Sequence, residues 1–438
     1  MNWYEILALI LGGALGLLGI GTPVAFALAG VTLIGIILTQ GWGNPMMQYI
    51  SSVKSSLGVF TLLPVPLFVL MGEILWHSKI AGRALNALDM LLGRLPGRLS
   101  LLAIASGTLF STLSGSTMAN TALLGRLLVP ELSKRGYSTV MSVGPIISSG
   151  ALAMLIPPSA IAVIFASVAK VSIGKLLIAL IVPGLLLAVS YSVFVIGTAL
   201  KFPHLAPSYE VDKVPFNRVV KELLLNVIPL LSVVIVVVGA IFLGIATPTE
   251  AAAVGAVASM LLAAAYGGLS ISSLYESLMG TLRITVMMLT IMASAIAFSQ
   301  LLAFTGASRG LLQFVVSGIE HPLSFIALTM LLILVLGMFL EQIAIMLITL
   351  PILMPIVAAL NIEPTWFSVL MLINLEIALM TPPFGMLLFV MGSVTDKDVT
   401  MPLIWRAAAP FVIINLLIIV LIAFIPELTT WLPGLAFD

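Results

Sequence analysis

The sequence predicts an all-α polytopic membrane protein of about ten to eleven transmembrane helices with two re-entrant hairpins, arranged as two inverted repeats. Composition, a long-range repeat and the placement of basic residues lead there. Of the 438 residues, 61% are hydrophobic and 8% charged, whereas an ordinary soluble domain carries about 25% charged residues. The runs 176–200, 227–245 and 411–425 read as membrane spans, since a bilayer core takes about 20 apolar residues in a helix. A net charge of +1 argues against a nucleic-acid surface or a polybasic lipid anchor. The absence of cysteine excludes disulfides, thiolate metal sites and cysteine nucleophiles. The first basic residue is Lys54, so residues 1–20 lack the positive start of a cleavable signal and are expected to form the first span.

Setting each residue beside the one 225 positions later places "GIGTPVAFALAG" (19–30) on "GIATPTEAAAVG" (244–255). In the same register Pro130 falls on Pro355, and Pro157-Pro158 on Pro382-Pro383. Four prolines in one register without a net gap mark an internal duplication, with halves 1–213 and 214–438. Such duplication is typical of secondary transporters, whose binding site lies near the midplane between the repeats.

Lys and Arg near span ends collect on the cytoplasmic side. Arg94 and Arg98 precede segment 99–113, and Lys134-Arg135 follow 118–133. Hairpin 99–135 is therefore expected to enter and leave from the cytoplasm. Its counterpart, 322–360, is flanked by Glu320-His321 and by Asn361 and Glu363, with no basic residue close by. That hairpin is expected to enter from outside. An odd number of spans between equivalent positions inverts the second repeat, in agreement with both assignments. The order becomes three spans, a hairpin, five spans, a hairpin and two spans, with both termini outside. On that path 14 of the 18 Lys and Arg residues lie inside, and only Lys54, Lys170, Lys175 and Arg309 lie outside. Segment 78–97 has apolar residues at helical spacing with basic residues between, as in an interfacial helix bracing the first hairpin. The prolines and mixed charges of 201–221 mark the linker between repeats.

In hydrocarbon, non-helical backbone survives only inside protein or around a water-filled cavity. Each half has two such breaks. One is a polar hairpin tip: "LSGSTMANT" (113–121) in the first half and "LEQIA" (340–344) in the second, Ser116-Thr117 aligning with Glu341-Gln342. The other is a Pro-Pro pair inside the following span, "ALAMLIPPSAIAV" and "EIALMTPPFGMLL". Proline lacks an amide hydrogen and clashes with the carbonyl four residues back. The carbonyls freed near 153–156 and 378–381, the tip carbonyls and the hydroxyls of Ser114, Ser116, Thr117 and Thr381 suit a hard alkali cation. The helix N-termini that follow each break offer amide hydrogens to an anion. Cation sites flanking an anion site, repeated with inverted sense, describe a cation-coupled importer of organic acids.

Other polar residues read more plainly. Glu250, three residues after Thr247 and across Pro248, forms the pattern of a capping box. Arg126 lies about two turns past the tip, where it can snorkel to the interface. His77, His204 and His321 have no ligand partner at metal spacing and receive no role. Glu341 reads as functional, because an ionised group at mid-bilayer costs about 2.5–3.5 kcal/mol and needs a partner or a task. Glu376 stands between two readings, a buried carboxylate or a partner of an amide such as Asn374. An enzyme would need a nucleophile–base pair or a metal cluster, and the sequence offers neither; a channel would lack paired hairpins.

The motifs "PLFVLMGEIL", "FSTLSGSTMANTALLG", "PELSKRGYS", "LIPPSAIAVIFAS", "GIATPTEAAA" and "NLEIALMTPPFGMLLFV" occur in this order along nearly the whole chain. Together they resemble the large membrane subunit of TRAP (tripartite ATP-independent periplasmic) transporters. The resemblance implies a sodium-driven, elevator-type transporter of the ion-transporter superfamily in a bacterial inner membrane, with Na+ as coupling ion. It also implies two partners, a four-helix small membrane subunit and a periplasmic substrate-binding protein that selects the organic acid. It carries sodium sites to Ser114, Gly115, Ser116, Thr117 and Asn120 with the Ile156-Pro157 break. The second set is Leu340, Glu341 and Gln342 with Met380, Thr381 and Pro382, Glu341 standing where many relatives lead one to expect aspartate. Ser116, Asn120, Ser159, Glu341 and Thr381 are the candidates to contact substrate. The chain opens on the large subunit's own first span, so a separate small subunit is expected. The nearest rival is a cation-coupled carboxylate symporter or exchanger of the same superfamily working without a binding protein.

The topology is testable on a chain without native cysteine. Single cysteines at Ser133 and Ser208 are expected to react with an impermeant maleimide only from the cytoplasm, and cysteines at Asn361 and Thr430 only from outside. Outside labelling at Ser133 would refute the first hairpin's assignment.

Overall fold

The computed structural model describes residues 2–41, 45–58, 62–78, 80–209, 214–318, 321–395 and 398–437. Lys79, Lys213, Glu320 and Lys397, which enter the charge argument, lie outside them, as does the side chain of Ser114. Among the described residues the chain is helical throughout, with short 3-10 turns and no strand.

Among the described residues, five helices are long and apolar enough to cross a bilayer core unaided: 173–201, Pro248–Ala265, Ile271–Phe304, Gln342–Ala359 and Met401–Phe424. Phe216–Asn226 and Ile228–Phe242, bent by 45°, make a sixth if read as one span. The other expected spans appear as shorter apolar helices, among them Trp3–Gly19, Val24–Gln40 and Pro64–His77. Apolar runs continue through breaks that end a helix, so counting runs gives a larger number than counting long helices. Around Pro157-Pro158 one run divides into Thr139–Gly150, a 3-10 turn Ala151–Met154 and Ala160–Ala169. Around Pro382-Pro383 another divides into Pro364–Leu379 and Met386–Val394.

Helix boundaries recur at the 225-residue spacing. Trp3–Gly19 matches Ile228–Phe242, Arg98–Ser114 matches Pro322–Gly337, Thr117–Lys134 matches Gln342–Ala359, and Ala160–Ala169 matches Met386–Val394. One stretch differs. Pro45–Leu57 and Pro64–His77 are separate helices, whereas Ile271–Phe304 runs unbroken through the equivalent positions. Gly58, Pro64 and Pro66 interrupt the first copy, and the second has no proline or glycine between 281 and 305.

Burial sorts the helices into core and shell. Pro364–Leu379 is buried from Thr365 onward, and Thr139–Gly150 from Met141 onward. A helix covered on every side belongs to the interior. By contrast, Ile228–Phe242 buries only Leu230, Val233, Val237 and Ile241, one stripe at helical spacing. The helices leading into the two breaks, with Gln342–Ala359, thus lie at the centre, and spans such as Ile228–Phe242 lie outside them. Local signals act as expected. Thr247 and Glu250 make the capping box, with the Glu250 amide donating to Thr247 Oγ1 at 3.3 Å and the Thr247 amide to Glu250 Oε2 at 2.8 Å. Segment 78–97 contains the helix Ile80–Leu92, and Arg126 is exposed.

A fully buried hydrogen bond joins the two halves: the Tyr191 hydroxyl donates to Asn415 Oδ1 at 2.8 Å. Tyr191→Phe is expected to lower stability by about 0.6–2 kcal/mol, the range for side-chain hydrogen bonds between membrane helices. Detergent melting curves measure it, and an unchanged midpoint would show that Asn415 finds another donor.

Candidate functional site

The first tip is built by one glycine and one cap. Arg98–Ser114 ends at Gly115, whose φ of 56° is the left-handed turn that glycine adopts without a Cβ clash. Ser116 then opens Thr117–Lys134, its hydroxyl accepting the Ala119 amide at 3.3 Å. The second tip uses a carboxylate for the same task. Glu341 Oε2 accepts the amides of Ile343 at 3.1 Å and Ala344 at 3.4 Å, capping Gln342–Ala359 where the helix dipole is positive. The task that the sequence asks of Glu341 therefore includes a structural one.

The two tips, distant in sequence, line a single cavity of about 150 Å³. Gly115, Ser116 and Thr117 contribute from the first tip, Glu341 and Gln342 from the second, and Pro158, Ala160 and Ile161 from the first break. Phe68 and Val69 of Pro64–His77 and Ile284, Met287 and Met288 of Ile271–Phe304 supply apolar walls. Ser159, fully buried, accepts the Ala162 amide at 3.3 Å and caps Ala160–Ala169. That helix therefore starts on the cavity and presents its positive end there. Ile156 and Pro157 are buried just behind it.

Asn120 is also buried, and its amide ties the hairpin arms together by donating to the Gly107 carbonyl and to Ser111 Oγ, both at 3.1 Å. Among the described residues its Oδ1 has no partner, and neither do the buried Thr121 Oγ1 and Gln342 Oε1; of the three residues only Gln342 lines the cavity, Asn120 and Thr121 lying in the hairpin arm beyond it. Oxygen acceptors without donors beside helix N-termini fit a site for a cation and an anion together.

The second break stands apart from this cavity. Met380 is buried, Thr381 Oγ1 donates back to the Ile377 carbonyl at 2.7 Å, and Met380, Thr381 and Pro382 are not among the lining residues. Phe384 just beyond it stacks at a tilt on Phe339 of the second tip, ring centres 5.4 Å apart, with Leu340 half-buried beside them. The structure thus brings together the first tip, the first break and the second tip, and seats the second break behind the second tip.

One site residue has no local sequence pattern to reveal its role. Glu376, 1% exposed, accepts a 2.9 Å bond from the Thr117 hydroxyl across 259 residues. Asn374, the alternative partner, donates instead to the Met330 carbonyl at 2.7 Å and so holds the second hairpin to Pro364–Leu379. His77, to which the sequence gives no partner, lies 3.5 Å from Glu73 and 3.9 Å from Glu276. No group of metal-ligating side chains at binding spacing occurs among the described residues.

Comparison with known proteins adds the following. The family model described as "Tripartite ATP-independent periplasmic transporter, DctM component" matches residues 11–428. The chain is 32% identical to the C4-dicarboxylate TRAP transporter large permease protein DctM of Pseudomonas aeruginosa, over 86% of each chain. It is 31% identical to the sialic acid TRAP transporter large permease protein SiaM of Vibrio cholerae, over 97% of each. In fold it is similar to the crystal structure of the Alcanivorax borkumensis YdaH transporter, with a TM-score of 0.62 at 13% identity, covering 93% of this chain and 98% of that one.

Thr117→Val removes the side-chain donor to Glu376 while keeping the volume. It is expected to destabilise the protein by about 1–3 kcal/mol, the penalty for leaving a buried acceptor unsatisfied, and Thr117→Ser is expected to restore most of the loss. Equal melting temperatures for the valine and serine variants would show that the bond contributes nothing.

Proposed function

This chain belongs to the DctM component family of tripartite ATP-independent periplasmic transporters, and we propose that it imports an organic acid driven by sodium across a bacterial inner membrane. The family's large permeases work with a periplasmic binding protein and a small membrane subunit, the latter expected here to have four helices. The observation that carries the reading is the shared cavity: two polar tips and a helix N-terminus meet on it, and Gln342 of its lining has a buried Oε1 without a partner among the described residues. The matched helix boundaries support two inverted repeats, 1–213 and 214–438, with re-entrant hairpins 99–135 and 322–360.

In this reading the tip residues do two things. Ser116, Glu341 and Ser159 hold three helix starts open toward the cavity, so amide hydrogens face a carboxylate substrate. The second lone pair of the Ser116 hydroxyl and the oxygens of Asn120 and the tips take sodium, which neutralises the acid's charge inside a low-dielectric enclosure. Thr117–Glu376 and Asn374–Met330 then tie each hairpin to the buried helix Pro364–Leu379. Those ties would let both hairpins travel together in an elevator motion. Substrate choice then rests with the binding protein, and the names of two relatives, a C4-dicarboxylate and a sialic acid permease, support an organic acid as the substrate.

Uptake into proteoliposomes with both partner proteins tests this. Transport is expected to stop when the inward sodium gradient is removed, even with a proton gradient imposed. Ser116→Ala is expected to raise the sodium needed for half-maximal uptake about 10- to 150-fold, the equivalent of one charge-assisted contact of about 1.5–3 kcal/mol. An unaltered sodium midpoint would reduce Ser116 to a helix cap. Full-rate uptake of free substrate without the binding protein would favour the symporter or exchanger reading.

A further inference from the structure

Another cavity, of about 560 Å³, opens away from both tips among Ile80–Leu92, Phe216–Asn226 and the end of Pro248–Ala265. The charge count assigns this face to the cytoplasm, and the first two of these helices are the amphipathic segments that flank the membrane. Pro229 lies just past the second of them, at its bend into Ile228–Phe242. It has no amide hydrogen for the Leu225 carbonyl four residues back, and the Tyr266 hydroxyl donates to that carbonyl instead. Tyr266 is thereby fixed as a wall, and the Arg83 guanidinium lies 5.7 Å above its ring. Glu222, on another lining helix, accepts a 2.8 Å bond from the Asn226 side-chain amide. Arg83 and Glu222 line one cavity, yet neither takes part in an ion pair among the described residues. Leu225 of the lining is 50% exposed, and Leu224 next to it in sequence and Leu261, one turn before the lining residue Ala265, are 56% and 67% exposed, apolar surface on the helices that form a polar pocket.

We propose that this cavity seats the headgroup of a zwitterionic phospholipid, its phosphate on Arg83, its ammonium on Glu222 and its acyl chains along the leucines. Two opposite charges held apart in one pocket are complementary to a ligand that carries both. A headgroup with only negative charge would meet Arg83 but face Glu222 as a like charge. Tyrosine is a common wall at this depth, its ring apolar and its hydroxyl bonded at the water side. The pocket shares no lining residue with the tip cavity, so the proposal stands apart from the sodium reading.

Native mass spectrometry of the chain purified with its small subunit, exchanged into micelles holding equal phosphatidylethanolamine and phosphatidylglycerol, reads the preference. Wild type is expected to retain phosphatidylethanolamine over phosphatidylglycerol. Arg83→Gln should lower that retention roughly fivefold, the usual contribution of one basic residue near a lipid phosphate, and Arg83→Lys should keep most of it. Glu222→Gln should shift the preference toward phosphatidylglycerol. Excess inorganic phosphate should leave the bound lipid in place, which separates a lipid site from a free-phosphate site. Equal retention of both lipids by wild type, unchanged retention in the Arg83→Gln and Glu222→Gln variants, or displacement by phosphate would overturn the proposal.

Discussion

A peptide group that leaves its helix inside a bilayer finds no partner in the lipid, so each break in this chain must be satisfied by protein or face a cavity within it. The breaks cluster for that reason. Gly115 turns the first tip, and Ser116, Ser159 and Glu341 each accept amide hydrogens that a new helix start would otherwise leave unpaired. Those caps use up the side-chain acceptors nearest the donors. What is left over among the described residues is amide oxygen, Gln342 Oε1 on the cavity and Asn120 Oδ1 within the hairpin, with no hydrogen to receive. A site with surplus oxygen and exposed helix N-termini favours a cation and an anion bound together, which is the chemistry proposed for sodium-coupled uptake of an acid.

The same constraint links the halves. Thr117 of the first tip donates to Glu376, so a carboxyl group in the core of the second half is held by a hydroxyl from the first, with the Met154 backbone a second partner from that half. Tyr191 and Asn415 repeat the arrangement deeper in the protein. Replacing such a bond by apolar contact would remove the penalty of a lone acceptor, but it would also remove the register between the halves. Phe339 against Phe384 adds an apolar contact where the second tip meets the second break.

Much of this was legible in residue patterns because it rests on local backbone chemistry. The Pro-Pro pairs, the glycine at 115 and the Thr247–Glu250 box each act within about one helical turn, and the structure has a helix end at every one of them. The 225-residue spacing also foretold which helices share boundaries. Two kinds of feature were not legible. Helix length was one: an apolar run does not register where Val227 bends it or where a 3-10 turn begins at Ala151. Pairing across the fold was the other. Glu376 lies in an ordinary apolar helix, and nothing near it in sequence points to Thr117, 259 residues away. The displacement of the second break from the tip cavity is likewise a matter of packing, which periodicity does not encode.

The account's central claim is that the surplus oxygens around the tips bind sodium selectively, and ligand binding to the native state raises the melting temperature with free ligand. The most direct measurement is a melting titration of the purified protein with sodium chloride against potassium chloride at equal ionic strength. The account predicts a saturable rise with sodium that potassium does not reproduce, and that Asn120→Ala abolishes. An equal rise with both salts, or a sodium response that survives Asn120→Ala unchanged, would contradict it.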